Sequence, residues 1–206
     1  MTGAGRPAVL IVSMEPPAGL EDEFNDWYDT EHVPQRIALP GFSSASRWVC
    51  IDGWPRWMAL YDLASEAAVR SEAYRGVSGA HSTPWSRRIL PRTIGRSRVV
   101  AVALEGEPPT TQFDPRRTSR LLVMGIRLPA ARASPPAIVA AVRAALSARD
   151  GVLQQRAFLE ADATLWLFTA FDAPVAPAAL AAEIGRPCGL GATTFNLYVP
   201  YQRGNS

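Results

Sequence analysis

Apolar and polar positions along the chain run through one order of elements twice. AVLIVSM (8–14) is rich in β-branched residues and predicts a short buried strand. After an EPPAG turn, GLEDEFNDWYDTEHVPQR predicts a helix. Phe24, Trp27, Tyr28 and Glu31 recur at i, i+3, i+4 and i+7, one helical face. Glu21, Asp22 and Glu23 fill its first turn, where the helix dipole favours acids. Pro34 predicts its end, because a proline biases the preceding Val33 away from helical backbone. SSASRWVCI (43–51) and PRWMALYDL (55–63) flank Asp52-Gly53, a strong hairpin signal. SEAAVRSEAYRGV (65–77) predicts a shorter helix capped by Ser65, SGAHSTPWSRRILPRT an irregular segment, and IGRSRVVAVALEGE (94–107) a strand. The order is β-α-β-β-α-β.

EPPTTQFDPRRT (107–118) is polar, carries three prolines and predicts a linker. The order then repeats. SRLLVMGIRL is a strand, SPPAIVAAVRAALSARD a helix with Ser134 as cap and Pro135 at its first position, and a hairpin crosses Ala161-Asp162. VAPAALAAEIG and ATTFNLYVPYQ supply the last helix and strand. The expected division is a first ferredoxin-like repeat at 8–106, a linker at 107–118 and a second, degenerate repeat at 119–203. Such a unit sets both helices on one face of a four-stranded antiparallel sheet. The other sheet face also needs cover, and alternating Trp57, Ala59 and Tyr61 read as that face. Two such sheets in one chain can cover each other and form a barrel-like core, so the predicted class is α+β, an intramolecular pseudo-dimer.

The 206 residues can bury a sizeable core. Net charge is +2, carried on the basic side by arginine, with no basic run of the kind that tracks nucleic acid. No apolar run approaches the ~20 residues that span a bilayer. The first apolar stretch is too short for a signal sequence. The expectations are no nucleic acid, no membrane and a cytoplasmic protein, either a monomer or a homodimer. Cys50 and Cys188 are the only cysteines and read as buried structural thiols, and His32 and His81 are the only histidines, too few for a metal cluster. No glycine-rich dinucleotide or phosphate loop and no nucleophile elbow occurs.

The stretches EFNDWYDTEHVP (23–34), PGF (40–42), PRWMALYDL (55–63), SEAYRG (71–76) and TPWSRR (83–88) resemble the dimeric α/β-barrel superfamily, most of all its EthD-like branch. The likeness covers residues 8 to about 104, and the second half matches in architecture only. It implies a small barrel with an apolar cavity between sheet and helix ends. Members include cofactor-free monooxygenases, polyketide cyclases, lactone isomerases, dehydratases and decarboxylases, and others bind haem. The superfamily's histidine near the end of the first helix carries over onto His32. The second half has no equivalent, so one site per chain is expected, in the first half.

His32 falls in the last turn of that helix, with Asp29 and Tyr28 placed to orient its ring for acid–base work near neutral pH. The alternative is a histidine that caps helix carbonyls. Glu31 lies on the aromatic stripe, with Arg47 as its expected partner. Tyr61 ends an inward alternation and could place its hydroxyl in the cavity, and Arg47 could hold an enolate or carboxylate oxygen. Trp27, Tyr28, Trp48, Trp57 and Trp85 are either core or walls of a site for a flat ligand. His81 reads as surface. Three functions stay open. The first is a cofactor-independent enzyme that moves a proton through His32 on a small hydrophobic aromatic or polyketide-like carbonyl compound. The second is a protein that binds a hydrophobic ligand, or a haem through His32. The third is a remnant in which the stripe is only core.

Overall fold

The computed structural model describes residues 5–107, 112–128, 134–161, 163–185 and 192–203. Eight strands form a closed antiparallel barrel: β1 (Ala8–Glu15), β2 (Phe42–Asp52), β3 (Trp57–Leu63), β4 (Ile94–Ala103), β5 (Arg120–Arg127), β6 (Val152–Glu160), β7 (Thr164–Phe171) and β8 (Ala192–Pro200). Their order around the barrel is β1-β3-β2-β8-β5-β7-β6-β4. Each half supplies four neighbouring strands. The halves join where β2 pairs with β8, Val49 opposite Val199, and where β4 pairs with β6, Val102 opposite Leu159. Closure leaves none of these strands with a free edge for a second chain to extend. This is the tandem ferredoxin-like, pseudo-dimeric barrel that the repeated element order predicts.

The strands are buried on both faces, so successive residues enter different cores. In β1, Val9 and Ile11 point into the barrel while Ala8, Leu10 and Met14 meet the first-half helices. In β5, Leu121 and Val123 point in while Leu122, Met124 and Ile126 meet the second-half helices. One sequence reading fails on this point. Trp57, Ala59 and Tyr61 lie under the helices, and Met58 and Leu60 fill the barrel instead. A strand apolar on both faces carries no alternation to set which face is which. The segment 107–118, read as a linker, also contributes to the core where it is described. Phe113 is buried, its ring 6.0 Å from that of Phe168. Arg156 lies between Phe113 and Phe158, 4.9 Å from each ring, and pairs with Asp62 of the first half.

The first helix departs from expectation. It starts as α1 (Glu21–Trp27), widens into a π turn at Tyr28–His32 and continues as α2 (Val33–Ile37). Pro34 sits in the first turn of α2 and does not stop the helix, and Val33 keeps helical backbone at φ −64°, ψ −49°. A proline costs least in a first turn, where its missing N–H would be unpaired anyway. The π turn closes with the Val33 N–H donating to the Tyr28 carbonyl, and the Thr30 hydroxyl donates to the Asp26 carbonyl at 2.6 Å. Insertions of this kind concentrate at functional sites.

The predicted helix at 65–77 is broken. Ser71 is extended and caps a short α3 (Glu72–Arg75), accepting from the Tyr74 N–H at 3.1 Å. The segment read as irregular contains α4 (Pro84–Ile89), capped by Thr83. In the second half, α5 (Pro135–Ala145) follows Ser134 at the N-cap position, and α6 (Pro177–Ile184) precedes β8. Asp162, in the second hairpin, and Cys188 lie outside the described residues. Cys50 is a free, half-buried thiol that donates to the Asp52 carbonyl at 3.1 Å, and burial pushes its pKa up to about 11.

Candidate functional site

The π turn places the histidine. Residues five apart on a regular α-helix point roughly 140° from one another. Here the wider turn brings His32 onto the face of Trp27, with ring centroids 4.4 Å apart, and edge-on to Tyr28 at 5.2 Å. His32 then lines a cavity of about 500 Å³ between the first-half helices and the outer face of β1, β3 and β4. That is a size suited to a small organic ligand. Leu10, Val12 and Met14 of β1 form its apolar wall, and Tyr61 of β3 forms its back. Arg36 of α2, Tyr74 of α3 and Arg96 and Arg98 of β4 complete it.

The polar atoms here lack partners. His32 Nδ1, the Tyr61 hydroxyl and Ser78 Oγ are all shut from solvent without a hydrogen bond, and all three residues line this one cavity. Buried polar groups are nearly always paired, so three orphans around one space need an explanation. Electrostatics reinforce it. Burial, then the charges of Arg36 and Arg47, lower the His32 pKa to about 3, so the imidazole is neutral near pH 7. Burial pushes the Tyr61 phenol well above its usual range and the Tyr28 phenol up to about 12, so both stay protonated.

The other sequence candidates fall elsewhere. Arg47 does not reach the cavity. It is 7% exposed, pairs with Asp29 at 2.7 Å and donates to Asn25 Oδ1 at 2.6 Å. Its guanidinium lies 4.5 Å from the Tyr28 and Tyr201 rings and 5.0 Å from Trp57. With its charge already matched, Arg47 is not free for a ligand oxygen, and Asp29 is not free to orient His32. Nor does Glu31 pair with Arg47. It accepts from Trp27 Nε1 at 3.2 Å and from the Thr83 hydroxyl at 2.5 Å, which ties the π turn to the cap of α4. Trp48 faces the barrel interior, its Nε1 donating to Ser46 Oγ at 2.8 Å. Trp85 donates to Glu23 at 3.0 Å. Trp27, Tyr28 and Trp57 are core residues around the site, and His81 is exposed.

Arg36, Tyr74, Ser78, Arg96 and Arg98 also line the cavity and were not singled out from the sequence. One signal was available: Arg36 is four residues after His32, the spacing that shares a helix face. A larger groove of about 720 Å³ runs past Asp29, Arg47, Asp114, Arg116 and Arg203, in which Arg47 pairs with Asp29 and Arg203 with the neighbouring Asp26. Among the described residues no cluster of three or more His, Cys, Asp or Glu could hold a metal ion, and no helix is long and apolar enough to cross a membrane.

No family model matches the sequence, and no curated protein matches it. Solved structures do match. An anthrone oxidase-like protein aligns over 97% of this chain and 93% of its own, with a TM-score of 0.63 and 12% identity. A candidate chlorite dismutase aligns over 96% of both chains, at 0.62 and 10%. A haem-binding protein from Thermus thermophilus aligns over 96% of this chain and 92% of its own, at 0.58 and 10%. At these identities the likeness is one of fold, and with the eight-stranded closure it shows that the chain is a tandem ferredoxin-like barrel of the dimeric α/β-barrel type.

Proposed function

We propose that the first-half cavity binds a small, hydrophobic, aromatic or polyketide-like carbonyl compound, and that His32 moves a proton on it without a cofactor. The observation that carries this reading is that three residues holding a buried, unpaired polar atom, His32, Tyr61 and Ser78, all line one cavity. A bound carbonyl or hydroxyl would satisfy them. The neutral imidazole is the base form, able to accept a proton, and at a pKa of about 3 it is a weak base in the free protein. The protonated Tyr61 hydroxyl can donate to the oxygen on which charge develops. Arg36 adds a fixed positive charge on the same cavity wall, the role that sequence reading gave to Arg47. The family range of isomerisation, cyclisation, dehydration and oxygenation through a carbanion all begin with this proton transfer. The EthD-like resemblance supports the same reading through the first-half motif.

A haem fits the residues poorly. A histidine that ligates a metal through one nitrogen ordinarily donates its other N–H to a carboxylate or carbonyl. His32 Nδ1 has no such acceptor, and the ring is held face and edge by Trp27 and Tyr28.

The test is a screen of aromatic ketones and lactones against the wild type and His32→Gln. Turnover that falls about 10²- to 10⁴-fold in the variant, with the fold intact by circular dichroism, supports the proton-transfer role. Equal turnover in both would remove it. Reconstitution with hemin gives the second readout, where a Soret band lost in His32→Gln would favour the haem reading.

A further inference from the structure

We infer that the cavity's ligand is an acid, an apolar flat body carrying a carboxylate, bound with its negative end at Arg36. This deepens the proposed function and rests on the same cavity. Three arginines line the space, Arg36, Arg96 and Arg98, and no aspartate or glutamate does. Among the described residues no carboxylate forms an ion pair with any of the three. Several other arginines do have such a partner. Arg47, Arg56, Arg88, Arg143, Arg156 and Arg203 each have an acidic partner.

Arg36 is the strongest case. It is 6% exposed, yet its hydrogen bonds go only to neutral acceptors and are long. Nη1 and Nη2 donate to the Val77 carbonyl at 3.3 and 3.2 Å, and Nη1 to Gln35 Oε1 at 3.3 Å. Its guanidinium also lies 5.2 Å from the Tyr74 ring, a contact that leaves the charge uncompensated. A buried charge without a counter-ion is costly, and a guanidinium is the group best shaped to hold a carboxylate through two parallel bonds. At the rim, Arg98 is exposed and bonds the Tyr74 hydroxyl at 3.3 Å, and Arg96 bonds the Leu90 carbonyl at 3.3 Å. Both are placed to draw an anion inward. The ligand's apolar part would lie on Leu10, Val12 and Met14. An anion at Arg36 would also cancel one of the positive charges that hold His32 in its weakly basic state.

The test is titration calorimetry with a matched pair, 1-naphthoate and its neutral analogue 1-naphthamide. The expected result is at least about tenfold tighter binding of the acid to the wild-type protein, on the scale of one charge-assisted contact. Arg98→Gln lies at the exposed rim and should fold normally. It should weaken naphthoate several-fold and leave naphthamide unchanged. Arg36→Gln should abolish the preference, with its melting curve confirming the fold. Equal affinity of the two compounds for the wild type, or equal loss of both in Arg98→Gln, overturns the anion assignment and leaves the cavity reading standing. If neither compound binds, the cavity reading falls, and the anion assignment with it.

Discussion

The two halves of the barrel share one order of strands and helices and differ in what lies between helix and sheet. Among the described residues of the second half that layer is mostly aliphatic, with Phe171, and filled. Ile138, Val139 and Val142 of α5 and Leu180 and Ile184 of α6 close on Leu122, Met124 and Leu197, and the gap between α5 and β6–β7 holds only about 10 Å³. The polar groups on the helices there are spent on ion pairs, Arg143 with Glu107 and Arg149 with Glu183. In the first half the layer is aromatic and cationic, is interrupted by a π turn and leaves about 500 Å³ open. The second half is packed for stability. Unpaired buried polar atoms occur in both halves, on Arg120 and Arg156 as well, but in the first half three of them belong to residues around one cavity.

The comparison can be broken from either side. The largest effect is expected at Arg47, which ties β2 to the first-half helix and to Tyr201 just after β8. Arg47→Met removes a buried guanidinium and strands Asp29, at a cost of about 3–5 kcal/mol in urea unfolding. A loss below about 1 kcal/mol would mean the aromatic surround, and not the ion pair, holds that end. Next, Leu180→Ala in the filled half should cost about 2–5 kcal/mol through cavity formation. Ligand affinity in the first half should not change, and a parallel loss of affinity would show that the halves are not independent.

The third effect is pH-dependent. His32 is held near pKa 3 in the folded chain and returns to about 6.5 on unfolding. Since the folded pKa is the lower one, the unfolded state takes up the proton first. Stability is full above about pH 6.5 and declines as pH falls from there towards 3. Wild type should lose roughly 2 kcal/mol more than His32→Gln between pH 7 and pH 5, on a scale of about 1.4 kcal/mol per pKa unit. Matching pH profiles would show that the imidazole is solvated. The smallest effect is expected from Tyr61→Phe. It removes a buried hydroxyl with no partner, so the free protein should gain up to about 1 kcal/mol while losing ligand affinity. A loss of stability would mean the hydroxyl has a partner after all.

Some of this was legible from residue order. The β-branched runs, the turn pairs and the helical stripe give the β-α-β-β-α-β unit and its repetition, because these signals act over a few residues and need no distant partner. His32 was singled out for the same local reason, at a helix end, whereas Tyr61 was singled out on an alternation that set it on the wrong face of the sheet. Arg36 was missed because Pro34 reads as a stop, whereas the helix runs on past it after the π turn. Arg47 was misplaced because an arginine in a strand looks the same whether its neighbour is a ligand or Asp29.

What remained for the tertiary structure was the choice of face. Strands buried on both sides, such as MALYDL, have no polar positions to mark inside from outside. The barrel closure therefore decides that Met58 and Leu60 fill its centre while Ala59 and Tyr61 look towards the helices. Charge pairing is decided in the same way. Which arginines find a carboxylate depends on elements far apart in the chain. Among the described residues the fold leaves Arg36, Arg96 and Arg98 without one, around the space that His32 and Tyr61 share.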